Sequence, residues 1–250
     1  SWTVHPVYCS NITIDNISII QPYHSPNTDG INPDSCTDIK ITNCYVDVGD
    51  DCVTIKSGYN EFGRKVGIPC ENIVVTNCTF AHGHGGIVVG SEMSGNVRNI
   101  AVSNCIFDGT KRGLRIKTAR GRGGIVENFR ASNLIMRNII EAAFSITTSY
   151  EGADNEKVQV TEKTPLIQNI HWSDIIIYET DKTADMSGLP EMPLKEVSLK
   201  NIHVVEANSG LYIQNAENVY LANMIINAKY TPALMCNKIY DLEINRFTTR

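Results

Sequence analysis

No stretch of this 250-residue chain approaches the ~18 consecutive apolar residues that a membrane-spanning helix needs, so no membrane association is expected. Basic residues are in the minority: 22 Lys and Arg stand against 27 Asp and Glu, giving a net charge of −5 and a pI near 5.7. A generic nucleic-acid binder needs a broad basic surface to neutralise phosphates, so no nucleic-acid partner is expected, and any anionic ligand must meet a local basic patch. The eight cysteines include no Cys-x-x-Cys pair, so the usual spacing of a zinc site is missing. The regularly spaced leucines of a leucine-rich repeat and the long four-strand blades of a propeller are missing as well. The first residues, Ser1-Trp2-Thr3-Val4-His5, have neither the charged nor the apolar region of a signal peptide, which excludes nothing in a chain that does not begin with Met.

What is present is a repeat. With 42% hydrophobic residues, the chain has enough apolar material for one sizeable domain spanning 1–250. A motif of the form Asn-[Ile/Val/Phe]-x-[apolar or small]-x-Asn begins at Asn11, Asn72, Asn99 and Asn128, with weaker copies at Asp38, Asn169, Glu196, Asn218 and Lys238. Successive starts lie 20 to 41 residues apart, the range of solenoid repeats in which each unit buries its apolar face on its neighbours. Inside a unit, runs such as Ile73-Val74-Val75-Thr76 alternate with the period of a strand. The fold predicted is all-β, a right-handed, single-stranded parallel β-helix. Cys44, Cys78 and Cys105 each follow the second Asn of a repeat, so they are expected to stack as small buried hydrophobes and free thiols. The repeated Asn residues are expected to form amide ladders at turns.

The chemistry-bearing residues fall between repeat starts. Asp29 in Asn27-Thr28-Asp29-Gly30 lies in one unit, and Asp50 with Asp51 in Gly49-Asp50-Asp51-Cys52 lies in the next. His84 in Gly83-His84-Gly85, then Arg115 with Lys117, and then Tyr150 occupy the following units. Each lies 12 to 22 residues after its repeat start, so stacking at ~4.8 Å per coil should align them along one face. Asp50 and Asp51 can both face that row only if the backbone bends at Gly49. Three close carboxylates repel when ionised, which should raise at least one pKa, and an acid beside an ionised partner suits cleavage of a glycosidic bond. Arg115 and Lys117 could grip a substrate carboxylate, Arg bidentately and Lys as a point charge. The segment Lys111–Arg122 carries six basic residues and no acidic one, which points to a polyanionic substrate.

These motifs, in this order, resemble those of the polygalacturonase family, glycoside hydrolase family 28. The resemblance implies a right-handed parallel β-helix that hydrolyses α-1,4-galacturonosyl bonds of de-esterified pectin with inversion, without cofactor or metal. It implies a general-acid role for Asp50, water activation by Asp29 and Asp51, and support of the carboxylate network by His84. Arg115, Lys117 and Tyr150 would contact substrate. The implied partner is an acidic polysaccharide, and the implied setting is a monomer that is secreted, extracellular or periplasmic. Family members usually carry more sequence before the segment resembling Ser1–Pro6, so the chain resembles an N-terminally truncated enzyme. Gly90-Ser91-Glu92-Met93-Ser94-Gly95 and Arg120-Gly121-Arg122 resemble the exo-acting bacterial and plant-like branch. A rhamnogalacturonan or xylogalacturonan hydrolase, a Ca²⁺-dependent lyase and a non-catalytic polysaccharide-binding β-helix are the competing readings.

Overall fold

A computed structural model describes residues 1–150, 152 and 156–249. The repeat becomes structure at its asparagines. Asn72 and Asn77 have φ of +59° and +57°, and the same left-handed conformation recurs at every repeat start from Asn11 to Lys238. Side chains other than Gly rarely adopt it, and Asn does so most readily, so each Asn turns a corner between two short extended segments. Between Asn72 and Asn77 the chain alternates: Ile73 and Val75 point into the core while Val74 is exposed.

Those segments stack into three parallel ladders. One ladder joins β1 (Ser10–Asp15), β3 (Thr37–Thr42), β6 (Cys70–Thr76), β9 (Val97–Asp108), β11 (Ile125–Arg137), β13 (Leu166–Ile177) and β15 (Leu194–Ala228). A second joins β2 (Ser18–Ile20), β4 (Tyr45–Asp47) and β7 (Thr79–Ala81), and enters the continuous strand β9. The third joins β5 (Val53–Ile55), β8 (Ile87–Gly90), β10 (Arg112–Lys117), β12 (Ile139–Thr147) and β14 (Thr180–Ser187), and ends on β15, which β16 (Leu234–Thr249) covers. Every ladder is parallel, and the pairings Ile12↔Ile39, Ile39↔Ile73, Ile73↔Ile100, Ile100↔Phe129 and Phe129↔Ile170 reproduce the repeat spacing read from the sequence. The right-handed parallel β-helix expected from the repeat is the fold observed. The longer interval after Asp38 accommodates the helix α1 (Asn60–Val66), which ends on the left-handed Gly67. No helix among the described residues is long and apolar enough to cross a membrane.

Side-chain columns run along the coils. Asn72 donates to Asp38 at 3.0 Å, Asn99 to Asn72 at 3.0 Å and Asn128 to Asn99 at 2.9 Å, and Asn169 donates to Asn128, so the amide ladder forms as expected. Cys44, Cys78 and Cys105 are buried, unbridged and stacked, with the Cys44 N–H 3.5 Å from the Cys78 Sγ. A second thiol column, Cys9, Cys36 and Cys70, lies at the starts of β1, β3 and β6; the sequence reading did not pair these three. All eight cysteines are free, and burial pushes the Cys70 thiol up to about 12.

Candidate active site

The three glycine-flanked motifs occupy consecutive coils and lock together through backbone hydrogen bonds. Gly30 N donates to the Asp51 carbonyl at 3.0 Å, His84 N to the Asp50 carbonyl at 3.0 Å, and Cys52 N to the Gly85 carbonyl at 2.8 Å. The chain bends at Gly49 and Asp50, as the adjacent carboxylates require. A Cβ at Gly49 would lie 2.6 Å from the Ser25 carbonyl oxygen and 2.7 Å from that of Pro22, so only glycine fits this bend. Gly83 has φ +88° and abuts the Asp50 carbonyl, again leaving no room for a side chain.

This framework brings Asp29, Asp50 and Asp51 together, each offering an oxygen within 4.8 Å of the others. Asp29 is 4% exposed and Asp51 1%, whereas Asp50 is only partly buried. Asp29 Oδ2 accepts from Asn32 Nδ2 at 2.9 Å and from Thr54 Oγ1 at 3.1 Å. Burial, and then the Asp51 charge, raise the Asp29 carboxyl above the ordinary aspartate value, outweighing the Asn32 hydrogen bond. The raised group among the three is therefore Asp29. Asp51 Oδ2 accepts from Lys117 Nζ at 2.7 Å, while Asp51 Oδ1 is buried and has no hydrogen-bond partner among the described residues. His84 Nδ1 lies 3.1 Å from Asp50 Oδ1, with its ring reaching solvent.

Register carries the row onward. Leu114 to Lys117 of β10 pair with Ile87 to Gly90 of β8, setting Arg115 and Lys117 beside the carboxylates. Arg115 is 6% exposed, its NH1 stands 3.9 Å from Asp51 Oδ1, and its Nε has no hydrogen-bond partner among the described residues. Tyr150 is exposed, with its ring 5.5 Å from the Arg115 guanidinium and 5.3 Å from Lys117 Nζ. These contacts link all seven residues expected to form the row into one cluster. A groove of about 490 Å³ continues from it over the coils that follow, lined by Arg112, Arg115, Glu141, Ser145, Tyr150 and Lys182 among others.

One expectation is corrected. The basic run 111–122 is not one anionic-ligand surface: Arg112 pairs with Glu141, and Arg120 binds Glu191 through Nε at 2.7 Å and NH2 at 2.8 Å. Arg122 is 2% exposed, donates to Asn60 Oδ1 at 2.6 Å and to the Ser91 carbonyl at 3.1 Å, and stacks 4.0 Å from the Tyr59 ring. Sequence reasoning missed Asn32 and Thr54, which lie outside the repeated motifs, as well as the ion pair Lys56–Glu92.

The profile of glycosyl hydrolases family 28 matches residues 3–223. A "Probable polygalacturonase" of Vitis vinifera is 37% identical over 205 residues, covering 82% of this chain and 41% of that protein. An endo-polygalacturonase of Pectobacterium carotovorum subsp. carotovorum is 34% identical over 189 residues, covering 74% and 42%. The crystal structure of a hyperthermoactive exopolygalacturonase from Thermotoga maritima superposes with a TM-score of 0.76 at 32% identity, over 88% of this chain and 49% of that one. A family 28 exopolygalacturonase of Yersinia enterocolitica, 19% identical with a TM-score of 0.68, shares the fold over 100% of this chain and 43% of its own. The chain thus spans about half or less of the length of the proteins it matches. The ordered motifs, the coil register that unites them and a profile match over most of the chain agree: this chain belongs to glycosyl hydrolases family 28.

Proposed function

We propose that this chain carries the catalytic cleft of a polygalacturonase, hydrolysing α-1,4-galacturonosyl linkages of polygalacturonate with inversion. The observation that carries this reading is the juxtaposition of three carboxylates with the buried Arg115. Its Nε makes no hydrogen bond among the described residues, and its NH1 pairs with the Asp51 carboxylate at 3.9 Å, beyond hydrogen-bond distance, which leaves guanidinium donors for a substrate carboxylate. Asp50 is the accessible carboxyl and acts as general acid, giving its proton to the glycosidic oxygen. His84, 3.1 Å away, supports that proton position. Asp29 and Asp51 hold the water that attacks the anomeric carbon. Asp51 Oδ1, buried and without a hydrogen-bond partner among the described residues, is an acceptor for it, and the raised proton affinity of Asp29 suits a base. Lys117 supplies the counter-charge to Asp51, and Tyr150 forms the outer wall next to both cations.

The compact carboxylate spacing alone would suit a retaining mechanism. Two features favour inversion instead: Asp51 is clamped by Lys117 at 2.7 Å, and Asp29 and Asp51 are both too buried to reach a sugar carbon without an intervening water. The likeness to the Thermotoga maritima exopolygalacturonase supports exo action. The enzyme works as a monomer without metal or cofactor, outside the cytoplasm where pectic polymers lie. Reducing-sugar release from polygalacturonate tests the reading: it should survive chelator and fall by about 10²–10⁴ in Asp50→Asn. Chelator-sensitive formation of unsaturated product would show a lyase instead, and release unaffected by Asp50→Asn would show that the acid is misassigned.

A further inference from the structure

Lys56 and Glu92 lie outside the four motifs, yet the register brings them to the same cleft. The pairings Ile55↔Val89 and Val89↔Ile116 place Lys56, Gly90 and Lys117 at one position of three successive coils. The middle coil contributes no side chain there, and Glu92, two residues further on, reaches back into the gap. Its Oε2 lies 2.7 Å from Lys56 Nζ. Lys56 is 4% exposed and its ammonium stands 4.5 Å from the Trp2 ring centroid, so a long flexible side chain is confined between one carboxylate and one aromatic face. Lys117 on the far side also acts on Glu92: burial alone would push the Glu92 carboxyl up, but Lys56 and Lys117 outweigh it and hold it below the ordinary value.

On the strength of that arrangement we propose that Lys56 and Glu92 are positioning residues, an ion pair buried at Lys56 and partly exposed at Glu92 that sets how readily Asp29 exchanges the proton of the hydrolytic step. The role in hydrolysis rests on the function proposed above; the electrostatic coupling does not. Asp29 is faced by Asn32 of its own coil and by Asp50, Asp51, Thr54 and Lys56 of the next. Lys56 is the cation among these, and it acts against the two neighbouring carboxylates. Glu92 partly neutralises Lys56 and Lys117, so less positive charge is felt at Asp29 and Asp51. His5 and Asp34, 3.9 Å apart, lie on the coils before Lys56 and complete the charged groups on this side.

The test is a pair of variants expected to act in opposite directions. Glu92→Gln frees Lys56 and Lys117 to stabilise the ionised carboxylates, so the carbon-13 NMR titration of the Asp29 carboxyl should move to lower pH by about half a pH unit or more. Lys56→Met removes the cation and leaves Glu92 as a further negative charge, so the same titration should move to higher pH. Lys56→Arg, which keeps the charge, should leave it near the wild-type position, and Lys56→Met/Glu92→Gln should fall between the single variants. The acid limb of kcat/KM on polygalacturonate should follow the same order. Shifts in the same direction, or a loss of stability with no shift, would overturn the proposal and leave the pair a structural tie. Opposite NMR shifts in a protein inactive on polygalacturonate would sustain the electrostatic coupling and overturn its part in hydrolysis together with the proposed function. Activity without opposite shifts would overturn the coupling alone.

Discussion

Asp29 is held where an ionised carboxylate is least comfortable, buried and facing two others of the same sign. Its pKa in the folded protein is raised above the ordinary aspartate value, so the folded state carries a penalty that begins as pH rises past that value and is complete above the folded pKa. Asp29→Asn should therefore raise the melting temperature at pH 7 while abolishing hydrolysis. The gain should vanish as pH is lowered below about 3.8, where Asp29 is protonated in both states. Melting curves of the two proteins across pH check this; an equal gain at every pH would point to packing instead. Lys117→Met acts the other way. It strands Asp51, 1% exposed, without its 2.7 Å partner, and should cost about 3–5 kcal/mol in urea unfolding at pH 7. Arg115→Lys keeps the charge but loses the planar fork, so KM for polygalacturonate should rise with kcat less affected.

At the scale of the element, most corners are asparagines with a double duty: each accepts a left-handed backbone and passes an amide hydrogen bond to the next coil. Asn128 has φ +57°, donates to Asn99 and accepts from Asn169. Both Asn128→Gly and Asn128→Ala forfeit the ladder bonds, but alanine keeps in the left-handed region a Cβ that glycine lacks, at roughly 1–2 kcal/mol, so the alanine variant should be the less stable by about that amount. Guanidinium melts of both variants measure the difference. The corners and the strands between them were legible in the sequence because the same constraint recurs at every repeat start, and Gly49 and Gly83 were legible because each sits beside a charged motif residue. Lys56 and Glu92 were not legible. They are 36 residues apart, belong to no repeated motif, and meet only because Gly90 leaves a gap in their column. Arg120 and Arg122 were misread for the related reason that their partners, Glu191 and Asn60, are 71 and 62 residues away.

Across the whole molecule, the solenoid converts sequence phase into a cleft. Residues scattered from Asp29 to Tyr150 converge because each coil repeats the last with one strand pairing per face. A row assembled this way depends on register, and a one-residue slip in β10 would turn Arg115 and Lys117 into the core. The row therefore serves the proposed function only as a set: Asp29, Asp50 with Asp51, His84, and Arg115 with Lys117 come from successive coils, and no single motif suffices. The account rests most heavily on the direction of attack at the anomeric carbon, and time-resolved proton NMR of the products from oligogalacturonates reads it directly. Water held by Asp29 and Asp51 on the face opposite Asp50 predicts that the newly formed reducing end is the β-anomer, converting to the α-anomer only by later mutarotation. An initial α-anomer, or a product carrying a double bond, would contradict the assignment of these residues.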